Sequence, residues 1–97
     1  YGFEHTYSRM VEAMGKSGDI LFALSTSGNS PNILEAAKKA KEIGMQVISF
    51  SGANGGALKA LSDLVYLVPS DDTARIQEIH ITLGHILCEF IEQQIFA

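Results

Sequence analysis

A single cysteine, Cys88, stands in 97 residues, so no disulfide can form within the chain. In its apolar, helical setting it reads as a buried, inert thiol, and a reduced, cytoplasmic location fits. No apolar run approaches the ~20 residues of a membrane span, and no signal-peptide pattern is visible, so a membrane is not an expected partner. Basic patches are missing too. The formal net charge is −4, and the only grouped lysines are Lys38, Lys39 and Lys41. That argues against nucleic acid as a partner. The lysine group reads as the solvated face of a helix. No internal repeat or low-complexity segment stands out.

What is present is enough apolar residue for one small core, at 46% of the chain. The chain begins at Tyr1 and enters at once into a helical pattern, with Phe3, Tyr7, Met10, Val11 and Met14 on one side. It reads as a piece of a longer protein. Gly15-Lys16-Ser17-Gly18-Asp19 breaks that helix. Ile20 to Leu24 is a continuous apolar run, the pattern of a strand buried on both faces. Ser30 is placed to N-cap a helix with Pro31 at its first position, and Gly44 ends it. Gln46 to Phe50 predicts a second strand, Ala57 to Leu61 a short helix, and Leu64 to Val68 a third strand. One long helix then runs from Thr73 to about Phe96, capped by Thr73 or Asp72.

Strand and helix alternate, which predicts an α/β fold with a parallel sheet and helices on both faces, in three layers. Three strands make a thin sheet with two edges, more like half of a domain. The last helix carries a broad apolar stripe (Ile76, Ile79, Leu83, Ile86, Leu87, Phe90, Ile91) with few partners in its own chain. That suggests packing against another subunit.

Candidate chemistry begins where the first strand stops, at Ser25-Thr26-Ser27-Gly28-Asn29-Ser30. In open α/β sheets ligands bind at the carboxyl ends of strands. Four hydroxyls and the free N–H groups of a helix N-terminus suit an anion. No Gly-Lys-Ser/Thr lies in this loop, so it is not a Walker loop, and no Gly-x-Gly-x-x-Gly follows the strand, which argues against a dinucleotide. Two readings stand at this point: a cradle for a small phosphate ester, or a helix cap with ordinary turn residues. The second loop, Gly52 to Gly56, has no hydroxyl beyond Ser51 and reads as a tight turn.

On the last helix Arg75 and Glu78 are spaced to pair. Gln77, His80 and His85 are the polar groups able to do chemistry. Gln77 and His85 share a drifting stripe, ~12 Å apart along the axis at 1.5 Å per residue. His85, flanked by apolar residues, is either a packing residue or, if it faces the cleft mouth, a proton-transfer group or metal ligand.

Together these segments resemble a known family. Ser-Thr-Ser-Gly-Asn-Ser after a buried strand is similar to the signature of the sugar isomerase (SIS) domain. Arg75-Ile76-Gln77-Glu78-Ile79-His80, followed by His85, resembles the phosphoheptose (sedoheptulose-7-phosphate) isomerase branch of it. Gly55-Gly56 and Val68-Pro69 fit as well. The resemblance covers essentially all of residues 1–97 and implies the C-terminal part of a single flavodoxin-like SIS domain. It further implies a homotetramer with active sites at subunit contacts. Ser25, Thr26, Ser27 and Ser30 would hold the sugar phosphate; Gln77 would contact substrate and metal. His85 would be catalytic and, in zinc-containing members, a zinc ligand. His80 matches no catalytic position of the family. The implied reaction is the aldose–ketose exchange of sedoheptulose 7-phosphate and D-glycero-D-manno-heptose 7-phosphate through an enediol, in lipopolysaccharide heptose synthesis. The base, a second histidine ligand and another phosphate loop belong to the family's N-terminal half, so these residues alone are expected to be inactive. Two alternatives are a non-catalytic SIS protein that binds the replication initiator and a sugar-phosphate-sensing SIS module. In the initiator-binding relative an asparagine replaces the histidine matching His85 and the loop carries an arginine; Ser27 and His85 match the enzyme.

Overall fold

The computed structural model describes residues 5–52 and 54–96. The element order is α1 (Thr6–Met14), β1 (Ile20–Ser25), α2 (Pro31–Ile43), β2 (Gln46–Gly52), α3 (Leu58–Leu61), β3 (Leu64–Val68) and α4 (Thr73–Phe96). Phe3, read above as part of the first helix, lies outside the described residues. The strands form one parallel sheet in the order β1-β2-β3. Ser25 sits beside Ser51, and Gly52 beside Val68, so the carboxyl ends of the strands are level. Gly15-Lys16-Ser17 precedes β1, at the opposite end of the sheet from the hydroxyl loop.

One face of the sheet is well covered. Ala23 and Val47 pack with Ala37 and Ala40 of α2, Leu58 of α3 and Met45, with Val11 of α1 against their edge. Val47 and Leu58 are fully buried, each contributing about 1.5–3 kcal/mol of transfer free energy. Three small alanines on α2 (Ala36, Ala37, Ala40) let the helix lie close to the strands. Gly44, at φ 97°, turns the chain out of α2. Asp63 ties the far end of the sheet together. Its N–H bonds to the Val47 carbonyl, while its carboxylate accepts from the Val47 N–H at 2.7 Å and from Lys41 Nζ at 2.6 Å. The Lys41 bond, and then the Val47 N–H, hold its carboxyl below the ordinary value.

The second face departs from expectation. Ile20, Phe22 and Leu24 of β1 and Leu64 and Tyr66 of β3 are all exposed, 42–63%. The continuous apolar run is therefore a strand with one buried and one open side. The reason is the placement of α4, which crosses this face over β2. Phe50 of β2 is the buried centre there, edge-on to Phe22 and to Tyr66 at 6.3 and 6.5 Å between ring centroids.

α4 begins at Asp72, whose carboxylate accepts the N–H groups of Ala74 and Arg75; of the two candidate caps, Asp72 is the one used. Arg75 and Glu78 pair on the surface as their spacing predicts. Among the described side chains Ile76 and His80 are the buried ones of this helix, and from Ile81 to Ile95 its apolar side chains are exposed or half-buried. Cys88 is exposed rather than buried, because nothing in the described part of the chain lies over that part of α4. No described helix is long and apolar enough to cross a membrane. Lys38, Lys39 and Lys41 all pair with carboxylates, Glu35, Glu12 and Glu42, and Asp63 respectively, which fits a solvated helix face.

Candidate functional site

A cavity of about 460 Å³ opens at the carboxyl end of β1. That size suits a small ligand. Its walls are Leu24, Ser25, Thr26, Ser27 and Ser30 on one side and Gln77, His80 and Ile81 of α4 on the other, with Ile33 of α2. The structure thus brings five sequence-selected residues, Ser25, Thr26, Ser27, Ser30 and Gln77, into one site. It does not bring His85 there. His85 is exposed, two turns further along α4. Another hollow, about 430 Å³, lies near the start of β1 among Met10, Met14, Ile20 and Met45, with Asp19 the only ionisable group among the described residues that line it. It lacks the convergent polar groups of the first.

The four hydroxyls are not equivalent. Ser25 Oγ accepts the Gly28 N–H at 3.0 Å, and Ser27 Oγ accepts the Asn29 N–H at 3.0 Å. Both therefore shape the loop while keeping an O–H to donate. Thr26 and Ser30 have no side-chain partner among the described residues. Ser30 sits at the N-cap of α2 but makes no capping bond, contrary to the expectation from sequence. Its carbonyl accepts the Leu34 N–H instead. Its φ and ψ of −63° and 120° leave the backbone in the cap position while the hydroxyl is free for another partner. Pro31 has no N–H, so Asn32 and Ile33 carry the uncommitted amides of the first turn. Among the described residues, no Asp, Glu, Lys or Arg side chain lines this cavity. Attraction for an anion comes from hydroxyls, amides and the α2 dipole, the last about 0.3–1 kcal/mol.

The second glycine loop supports the first. The Leu58 N–H donates to the Gly28 carbonyl at 2.9 Å, and the Ala57 N–H donates to Asn29 Oδ1 at 2.9 Å. A Cβ on Gly28, at φ 72°, would run into the Gly55 carbonyl, and one on Gly56, at φ 54°, would lie 2.6 Å from the Ser27 carbonyl oxygen. It is a turn, as read from sequence, and also a buttress.

Sequence reasoning gave no role to Ser51 or Asn29, and noted His80 as a polar group of the last helix without placing it in the site. Ser51 is fully buried, donates its hydroxyl to the Ser25 carbonyl at 2.8 Å and offers its own carbonyl to His80 Nε2 at 3.0 Å. His80 is 3% exposed and tilted against the Phe50 ring at 5.8 Å. The signal that could have flagged it is its place four residues after Ile76 and three after Gln77, which puts it on the inward side of α4.

A hydroxyl-lined cavity at the carboxyl edge of a parallel sheet, faced by a long helix, defines an α/β domain with a small-ligand site at its strand ends. The SIS domain pattern matches residues 2–52, and the chain belongs to the SIS domain family. Among known proteins it is similar to the phosphoheptose isomerase of Helicobacter pylori strain P12, 54% identical over 96% of this chain and 48% of that protein. It is also similar to that of Campylobacter jejuni serotype O:6, 55% identical over 96% of this chain and 50% of that protein. The solved phosphoheptose isomerase of Neisseria gonorrhoeae superposes with a TM-score of 0.91 at 48% identity, covering 94% of this chain and 52% of that one. The chain thus spans about half the length of the curated relatives it matches.

Zinc asks for about four ligands. Among the described residues no three His, Cys, Asp or Glu side chains come together in a way that could hold a metal. Gln77 and His85 do not by themselves fit a zinc ion.

Proposed function

We propose that this chain supplies one wall of the active site of a phosphoheptose isomerase, in the cytoplasm, within lipopolysaccharide heptose synthesis. The observation that carries the reading is the shared cavity of the hydroxyl loop and Gln77. The names of the similar proteins support it and favour an isomerase over an initiator-binding or sensing module.

In this reading the phosphate of sedoheptulose 7-phosphate is held by Ser25, Thr26, Ser27 and Ser30 and by the amides that open α2. Gln77 contacts the sugar. A base removes a proton from C1 of the ketose and the C2 oxygen gains one, giving the enediol. A proton returned to C2, with loss of the O1 proton, leaves the aldehyde at C1. His85 serves as an acid–base group at the oxygens, a task an imidazole suits because either ring nitrogen can carry the proton. The carbon base comes from outside these 97 residues, so the fragment alone does not turn over. Gln77 and His85 are the residues offered to zinc, with the other ligands also from outside. The exposed Ile86, Phe90, Ile91 and Ile95 of α4 support assembly as a homotetramer, which also bears on how His85 reaches a site.

The test is turnover of sedoheptulose 7-phosphate by the full-length protein, followed by NMR, for wild type and His85→Ala. Wild type is expected to form the aldose, and His85→Ala to lose at least ~100-fold in kcat while keeping the oligomeric state. Unchanged kcat in the variant removes His85 from the mechanism.

A further inference from the structure

The buried imidazole of His80 touches both halves of the candidate site without being one of its sequence-selected members. It lies on α4 one turn after Gln77, and it lines the same cavity. The Ser51 carbonyl only accepts, so the 3.0 Å contact requires the proton on Nε2. Ser51 in turn donates to the Ser25 carbonyl, and Ser25 Oγ accepts from Gly28. A continuous line of hydrogen bonds therefore runs from α4 through β2 into the hydroxyl loop. Phe50 seats the ring from the sheet side. Beyond His80 the helix carries no buried residue among those described, so Ile76 and His80 fix how its first turns lie.

We propose that His80 is a positioning residue: its bond to the Ser51 carbonyl sets α4, and with it Gln77, at a fixed place relative to the phosphate loop. The loop itself is held separately by Leu58 and Ala57, so loss of the His80 bond moves Gln77 more than it disturbs the phosphate cradle. This rests on the isomerase reading for its kinetic consequence, though not for its geometry.

The experiment uses the full-length protein with His80→Leu, which keeps bulk and loses the donor, and His80→Gln, whose amide places a donor near the original Nε2. Leucine is expected to lower kcat about tenfold, with inhibition by inorganic phosphate changed less than about threefold; glutamine is expected to restore kcat to within about threefold of wild type. If His80→Leu does not fold, His80→Met, equally without a donor, takes its place. Three results overturn the proposal: kcat within about twofold of wild type in the donor-less variant, phosphate inhibition weakened as much as kcat, or no rescue by glutamine. Crystal structures of the variants separate this from the isomerase reading. Should wild type turn over no sugar phosphate, that reading falls. The positioning role is then judged by whether Gln77 shifts against Ser27 in the donor-less variant and returns in His80→Gln; an unmoved Gln77 overturns it.

Discussion

Two loops leave the carboxyl ends of neighbouring parallel strands, one after β1 and one after β2, and both are rich in small residues. The first, 25–30, carries four hydroxyls, and two of them have no partner within the described protein. The second, 52–56, spends its groups on structure: the Gly55 N–H closes on the Gly52 carbonyl, and the Gly56 N–H on Asn54 Oδ1. Its following residues, Ala57 and Leu58, then donate to the first loop. Similar composition at the same edge of a sheet thus divides into a cavity-lining loop and its support. The telling difference is which polar groups are left unspent.

Breaking the contact between the loops should have the largest effect. Gly28→Ala forces a side chain into a left-handed backbone and onto the Gly55 carbonyl, at a cost of about 3 kcal/mol in stability; Gly56→Ala, crowding the Ser27 carbonyl, costs about 2. Thermal denaturation of the full-length protein checks both, and an unchanged Tm for Gly28→Ala contradicts the close packing. Ser30→Ala sharpens the contrast from the other side. Its hydroxyl holds nothing among the described residues, so stability should barely change, by less than about 0.5 kcal/mol. Affinity for the sugar phosphate should fall about tenfold, as for one hydrogen bond to a charged group. Calorimetry with sedoheptulose 7-phosphate and the unphosphorylated sugar measures this, and equal loss for both ligands counts against a phosphate contact.

Much of this was legible in the chain. The glycine breaks, Pro31 and the β-branched run at Gln46–Phe50 mark the elements up to α3, and Asp72 marks the start of α4, because those signals act within a few residues. The hydroxyl loop and Gln77 were legible as chemistry, though their meeting in one cavity required the fold. What sequence misplaced depends on distant partners. Ile20–Leu24 reads as doubly buried, yet its open side is decided by where α4 lies. Ser30 reads as a capping hydroxyl, yet its carbonyl and not its side chain serves α2. Asn29 meets Ala57 and Ser51 meets His80 across 28 and 29 positions, and no local pattern announces such a pair. His85 is the converse case: its family likeness marks it for the site, while its place on α4 puts it on the exposed side of this chain.

The central claim is that the loop after β1 holds the phosphate of a phosphorylated sugar. A crystal structure of the full-length protein with sedoheptulose 7-phosphate tests it directly. The account predicts phosphate oxygens within about 3.2 Å of the Thr26 and Ser30 hydroxyls and the Asn32 or Ile33 N–H. A phosphate bound elsewhere, with this loop left to solvent, contradicts it.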